Sequence, residues 1–150
     1  MDTDHVALVL SAPGRFAVCR VKSQVATGPG VLLAPRLIGL CGTDLDIARR
    51  SRFDSARILG HEGLAEVLHV TPGLAGINVG QHVILNPVNP LDPEDVLGHS
   101  TDGLLQQRFW ADADDIARGM LVPIDVDVPP LCAPLAEPLG TAIYGQSLVR

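Results

Sequence analysis

The chain has 150 residues, the size of one ordinary domain that can bury its own core. Of these residues 47% are hydrophobic, which excludes a disordered chain, and no hydrophobic run reaches the roughly 18 residues of a membrane-spanning helix. The net charge of −6 and the aromatic content of 3% argue against a nucleic-acid partner, because such a chain neither attracts phosphates nor offers a stacking surface.

Short hydrophobic runs separated by glycine and proline turns predict a domain built mainly from β-strands. Pro35 lies inside the third run, and since proline cannot donate to a sheet ladder, it should lie at an edge or a bulge. A short helix follows, for which Thr43 or Asp44 is the predicted N-cap. The elements predicted in this half are strands at 5–10, 15–21, 31–39 and 63–70 and a helix at 43–50.

The second half of the chain predicts shorter elements and more loop. Residues 86–101 contain Pro87, Pro90 and Pro93 and are predicted to form a loop. Many short strands with small helices indicate a mainly β, barrel-like domain of the α+β class. The other predicted elements are strands at 81–85 and 104–110, a helical turn at 113–118, a proline-broken extended segment at 126–131 and a helix at 138–149.

The cysteines and the amino terminus bear on where the protein works. Cys19, Cys41 and Cys132 are too few and too scattered for a disulfide framework. The chain begins with acidic residues, whereas a secretion signal needs basic ones at that place. We therefore expect a cytoplasmic protein in a reducing compartment, where a cysteine is free to bind a metal.

Three short motifs carry side chains that can bind a metal. Cys41 lies in GLCGTD, His61 and Glu62 lie in GHEG, and Glu137 directly precedes Pro138. One cysteine, one histidine and one carboxylate are the donor types of a catalytic zinc site, which keeps a fourth position open. The residues alone leave a second interpretation open, because a lone cysteine is usually a buried hydrophobic residue and a His–Glu pair is often only hydrogen-bonded.

The motifs also occur in the order and with the spacing of one known family. GLCGTD at 39–44, GHE at 60–62, GQHV at 80–83 and EPL at 137–139 together resemble the N-terminal catalytic domain of the zinc-dependent medium-chain alcohol dehydrogenases. The resemblance extends over nearly the whole chain. It implies a GroES-like fold, which is a partly open β-barrel with short helices, and it favours the sorbitol, threonine and sugar dehydrogenase branch.

The resemblance implies a role for each motif residue. Cys41 and His61 would bind a catalytic zinc ion, and the third ligand would be either Glu137 or Glu62, which lies beside the zinc in relatives and can exchange with its water. Thr43 would relay the proton of the substrate hydroxyl. The substrate would be an alcohol, a polyol or a sugar whose hydroxyl the zinc polarises, so that hydride passes to NAD(P).

Some positions support the site or depart from the family pattern. Asp44 would hold the ligands in place through hydrogen bonds. Asp46 stands where most relatives carry a histidine, and as a carboxylate it would pass the proton outward with lower basicity. In relatives the segment corresponding to 89–103 often carries a structural zinc; this chain has no cysteine there, so no structural zinc is expected. His99 and Asp102 in that segment are predicted to be solvated loop residues.

Family members continue from the EPL helix into a Rossmann domain that binds NAD(P), whereas this sequence ends at Arg150. Residues 1–150 contain no GxGxxG fingerprint after a strand, so we expect NAD(P) to bind only through a missing domain or a partner, and no turnover without it. The last helix is rich in hydrophobic residues, which such a domain would cover. Left uncovered, they would make the isolated chain form a homodimer or dissolve poorly.

Three functions therefore remain. The first is the catalytic domain of an NAD(P)-dependent alcohol, polyol or sugar dehydrogenase. The second is a stand-alone, non-catalytic GroES-like module for metal binding or protein interaction. The third is a catalytic chain whose cofactor domain comes from a separate polypeptide. The residues leave the individual substrate and the choice between NAD and NADP open, because the family draws specificity partly from the other domain.

Overall fold

The computed structural model describes residues 4–22, 28–124 and 127–149. Short strands make up most of the regular structure in these ranges. The strands are β1 (Asp4–Ala12), β2 (Arg15–Lys22), β3 (Gly30–Gly39), β4 (Glu62–Val70), β5 (His82–Leu85), β6 (Val88–Asn89), β7 (Asp92–Val96), β8 (Phe109–Asp112) and β9 (Leu121–Pro123); the helices are α1 (Gly42–Arg49), α2 (Ala113–Ala117), a 3₁₀ helix (Pro130–Leu135) and α3 (Ala136–Ser147).

A five-stranded antiparallel sheet with the strand order β8-β3-β4-β5-β9 forms the centre of the fold. The hairpin β1–β2 lies beside it and is joined to later segments by single bridges, Ala7 with Gln106 and Val9 with Ile58. The expected mainly β fold with short helices is confirmed. The main core cluster is drawn from the central sheet and the segments around it: Val31, Leu33, Ala65, Val67, Ile77, Val83, Leu85, Leu97, Leu104, Phe109, Ala111 and Leu121.

Pro35 lies where its missing N–H does little harm. Strand β8 pairs with β3 only from Gly30 to Leu33, so the β3 edge beyond Leu33 is not paired with β8. On the other side, the register with β4 shifts between Pro35 and Leu37, which marks a bulge. The prediction of an edge or a bulge at Pro35 is therefore confirmed.

Several local predictions are wrong, for identifiable reasons. The N-cap of α1 is Cys41, because the Asp44 side chain at the third helical position reaches back to the Cys41 N–H. The predicted loop contains the hairpin β6–β7, whose turn is closed by the Leu91 N–H donating to Asn89 Oδ1 at 3.0 Å. Leu131 lies in the 3₁₀ helix rather than in an extended segment; residue 126 of the predicted segment lies outside the described residues.

The first part of the strand predicted at 104–110 instead follows a neighbouring loop. The N–H groups of Leu104 and Leu105 donate to the carbonyl oxygens of Gly60 and Leu59 at 2.9 and 3.0 Å. The two backbones approach so closely at Gly103 that an added Cβ would overlap the Gly60 carbonyl oxygen and lie 2.8 Å from that of Leu59. A glycine at 103 is therefore what lets segments 58–60 and 103–105 join.

The carboxylate of Asp44 fixes α1 to the segment that precedes β4. Its Oδ2 accepts from the Cys41 N–H at 2.9 Å, and its Oδ1 accepts from the Gly60 N–H at 3.1 Å. Burial by itself raises the pKa of Asp44, but the interactions with His61 and with these two N–H groups outweigh it and hold the pKa below its ordinary value. The charged form of Asp44 is thus stabilised by folding.

The helices are short and border the sheet. In the described part of the chain, no helix is both long enough and hydrophobic enough to cross a bilayer. Helix α3 contacts the 3₁₀ helix and β4, and none of its described residues is buried.

The substitution Gly103→Ala should lower the free energy of unfolding by about 2 kcal/mol or more, because the new methyl group forces the two backbones apart. Chemical denaturation measures the loss. Gly140→Ala in α3 is the matched control: its added Cβ meets nothing within 4 Å, so stability should stay unchanged or rise by up to about 1 kcal/mol. Equal effects of the two substitutions would contradict the close approach at Gly103.

The substitution Asp44→Asn should cost about 1–3 kcal/mol at pH 7, because the amide supplies only one acceptor for two buried N–H groups. Since the folded-state pKa of Asp44 is lowered, its contribution is complete above the unfolded-state pKa near ~4 and is lost as the pH falls through the folded value. The difference in stability between the two proteins should therefore begin to shrink as the pH falls below about 4, and it should vanish below the lowered folded-state pKa of Asp44. Asp114→Asn is the control, because Asp114 is an exposed residue of α2. It should leave stability nearly unchanged both at pH 7 and below about pH 4.

Candidate metal centre

The pairing of β3 with β4 brings two of the sequence motifs together. Gly39, the last residue of β3, is paired with Glu62, the first residue of β4. Cys41 follows two residues after Gly39, and His61 directly precedes Glu62, so both lie at the same end of the sheet. The donor atoms of Cys41, His61 and Glu62 lie within 4.8 Å of one another.

Gly39 makes room for the Glu62 carboxylate. A Cβ on Gly39 would overlap Glu62 Oε2 and lie 3.1 Å from Glu62 Cβ. Any larger residue would push the carboxylate away from the cysteine and the histidine. This role of Gly39 follows from the strand register, which places it opposite Glu62 and which sequence patterns alone do not provide.

His61 is 4% exposed and lies against Asp44. Its Nδ1 is 3.6 Å from Asp44 Oδ1, which is beyond hydrogen-bond range, so the contact is electrostatic and this buried nitrogen has no hydrogen bond to the described residues. Burial lowers the pKa of His61, but Asp44 and Cys41 outweigh that effect and raise the pKa to about 9. A metal ion must therefore displace a proton from this ring.

The three clustered residues suit zinc. Thiolate and imidazole donors beside a single carboxylate are typical of zinc sites, whereas magnesium and calcium prefer oxygen donors alone. Glu62 is buried beside the other two donors, and the buried His61 Nδ1 has no hydrogen-bond partner in the described residues. The donor set and the unpartnered imidazole nitrogen both fit a zinc ion.

Thr43 and Asp46 lie on α1 next to this cluster. Thr43 is half-buried and its Oγ1 is 3.6 Å from Cys41 Sγ. Asp46 is exposed, and its Oδ1 accepts from Ser51 Oγ at 3.2 Å. Positions 43 and 46 are three residues apart in a helix and so share one side of it. The side chains thus lead from Cys41 towards the surface.

Glu137 lies apart from the three donors. It is half-buried in the first turn of α3, and its Oε1 accepts from Thr141 Oγ1 at 3.1 Å. Together with Tyr144 it lines a cavity of about 690 Å³ between α3 and the residues after β5. The Glu137 carboxylate is not among the donor atoms that meet within 4.8 Å.

The prediction that His99 and Asp102 are solvated loop residues is wrong for His99, which is 8% exposed. Its ring contacts that of His61 in a T-shaped arrangement, with centroids 4.6 Å apart and an interplanar angle of 78°. Burial, and then the charges of His61 and Arg52, lower the pKa of His99. Asp102 is also engaged, since its Oδ1 accepts from two backbone N–H groups.

Comparison with known proteins identifies the family. Residues 28–123 match the alcohol dehydrogenase GroES-like domain. The chain is 29% identical to L-threonine 3-dehydrogenase of Pyrococcus horikoshii over 95% of this chain and 45% of that protein. It is 35% identical to glucose 1-dehydrogenase of Thermoproteus tenax over 81% of this chain and 38% of that protein.

The fold also matches solved structures. Acetophenone reductase of Geotrichum candidum, solved in complex with NAD, superposes with a TM-score of 0.74 and 20% identity over 91% of this chain and 45% of that one. The chain spans 45% of the length of the three Pyrococcus L-threonine 3-dehydrogenases, which it matches over 95% of its own length, and the expected GroES-like fold is confirmed. With its family domain covering well over half of its residues, the chain belongs to the zinc-dependent medium-chain alcohol dehydrogenases and forms their GroES-like domain.

Proposed function

We propose that this chain is the zinc-binding catalytic domain of an NAD(P)-dependent dehydrogenase that oxidises an alcohol, a polyol or a sugar. The observation that carries the proposal is the meeting of the Cys41, His61 and Glu62 donor atoms within 4.8 Å at one end of the sheet. The similarity to threonine and glucose dehydrogenases supports the same substrate class.

Cys41, His61 and Glu62 would hold the zinc ion in the conformation described above. A bound zinc ion polarises the hydroxyl oxygen of a substrate and lowers its pKa. Glu137 is the alternative third ligand, and its carboxylate would have to leave the Thr141 hydroxyl, from which it accepts at 3.1 Å. The structure of the free chain therefore favours Glu62 as the resting ligand.

Proton transfer would follow α1. The Thr43 hydroxyl, 3.6 Å from Cys41 Sγ, is close enough to the ligands to accept a proton from a bound hydroxyl group and pass its own onward. Asp46, one turn further along the helix and exposed, would deliver the proton to water.

NAD(P) would bind to a domain outside these 150 residues, as the relatives' greater length supports. Exposed hydrophobic residues at four-residue intervals form a stripe from the N-cap along α3, which we call the apolar stripe: Leu135, Leu139 and Ile143. An uncovered stripe of this kind marks an interaction surface. We propose that it docks the cofactor domain, and that the chain alone is inactive and pairs with a second copy instead. A reducing, cytoplasmic location would keep the Cys41 thiol able to bind metal.

Zinc content tests the proposal. The purified chain should hold about one zinc ion, as measured by mass spectrometry, and should lose it in Cys41→Ser and His61→Ala because each removes a donor. Glu62→Gln should weaken zinc binding by about tenfold or more, whereas Glu137→Gln should leave it nearly unchanged in the free chain.

Two matched variants control for general damage. Cys132→Ser removes an exposed cysteine and His82→Ala removes an exposed histidine of β5, and both should retain zinc. A folded wild-type chain that takes up no zinc when zinc is supplied would contradict the dehydrogenase proposal and favour the non-catalytic interaction module.

The apolar stripe gives a second test. The free chain should associate at high concentration, and Leu139→Glu with Ile143→Glu should make it monomeric, as measured by light scattering, because charges interrupt the exposed hydrophobic surface. Val18→Glu is the control, since Val18 is 75% exposed and lies on β2 rather than on α3. A wild-type chain that remains monomeric would contradict self-association through α3.

A further inference from the structure

A second histidine lies directly on the proposed metal ligand. The ring of His99 meets that of His61 at a centroid distance of 4.6 Å and an angle of 78°, and both residues are buried. In the described residues His61 Nδ1 has no hydrogen-bond partner, since Asp44 Oδ1 is 3.6 Å away. Asp44 therefore acts on the ring through charge, and the ring contact with His99 is a further restraint on its orientation.

The segment that carries His99 is held firmly. The His99 carbonyl accepts from the Ala56 N–H at 2.8 Å, and the His99 N–H donates to the Val96 carbonyl at 3.0 Å. The backbone of Gly98 lies so close to Gly60 that an added Cβ would be 2.9 Å from the Gly60 carbonyl oxygen. The backbone that carries His99 is thus fixed against the residues just before His61.

Arg52 sets the orientation of the His99 ring. Its Nη2 lies 3.4 Å from His99 Nδ1, and its Nε donates to Asp54 Oδ2 at 2.6 Å. Because a guanidinium group can only donate, His99 Nδ1 must accept, and in the neutral ring the hydrogen lies on Nε2. This Nε2 is buried without a hydrogen-bond partner in the described residues. The interaction of His99 with His61 is therefore a contact between rings and not a hydrogen bond.

We propose that His99 is a positioning residue, which holds the His61 ring in the orientation needed to bind the metal. The inference rests on the proposed metal site. Partners that orient a ligand usually change metal affinity by about 10–100-fold when they are removed. Because the contact is between rings, an aromatic side chain at 99 should preserve the effect, and a polar side chain without a ring should not.

Two substitutions at position 99 distinguish the effect of the aromatic ring from the effect of the hydrogen bond with Arg52. His99→Phe keeps a ring but removes both nitrogens, whereas His99→Asn keeps an acceptor for Arg52 but removes the ring. His5→Asn is the control, because His5 is a similarly buried histidine in β1 and is not a proposed ligand. The thermal unfolding midpoint of each variant reports whether the fold is retained.

Two readouts test the proposal. Zinc affinity, measured by competition with a chromogenic chelator, should fall about tenfold in His99→Asn and stay within about threefold of wild type in His99→Phe and His5→Asn. In the metal-free protein at one fixed pH, ¹³C relaxation of the His61 ring should show an ordered side chain in wild type and His99→Phe and a mobile one in His99→Asn.

The two readouts also distinguish the two proposals. A wild-type chain that binds no zinc overturns the proposed function, while the relaxation of the His61 ring still decides the role of His99. An equally ordered His61 ring in wild type and His99→Asn overturns the positioning role. Zinc affinity that is unchanged in His99→Asn overturns it as well. Should His99→Phe fail to fold, the comparison of wild type with His99→Asn remains decisive.

Discussion

The antiparallel pairing of β3 with β4 is the constraint on which the rest of the site depends. Its register places Gly39 opposite Glu62, and the two residues that continue from these strands, Cys41 and His61, then meet at the same end of the sheet. A shift by one residue would turn Glu62 to the other face. The site therefore inherits the placement of its ligand residues from backbone hydrogen bonds, and contacts such as that of His99 with His61 act on the side chains afterwards.

Asp44 links the stability of the fold to the geometry of the site. One carboxylate caps α1 at Cys41, holds the Gly60 N–H and faces His61. The same group thus fixes both loops that carry ligands. Because one side chain makes both contacts, a substitution of Asp44 removes the cap of α1 and the hydrogen bond to Gly60 at the same time.

The sequence allowed much of the fold to be predicted, because alternating hydrophobic residues and Gly/Pro turns act locally. It also allowed the ligands Cys41, His61 and Glu62 to be proposed, because their motifs are short and ordered. Other features depend on distant contacts. The burial of His99 follows from contacts with residues 52–61, and the position of Glu137 depends on where α3 lies against the sheet, so neither can be derived from neighbouring residues.

Helix α3 has no buried residue in the described chain, and its twelve residues are too few for a helix to be stable by itself in water. Its amide hydrogens should exchange with solvent through local opening, whereas those of β3 and β4 need global unfolding. Whatever covers α3 would therefore also have to complete its folding. Ordering this helix would offset part of the interaction free energy. The association would therefore be weaker and reversible.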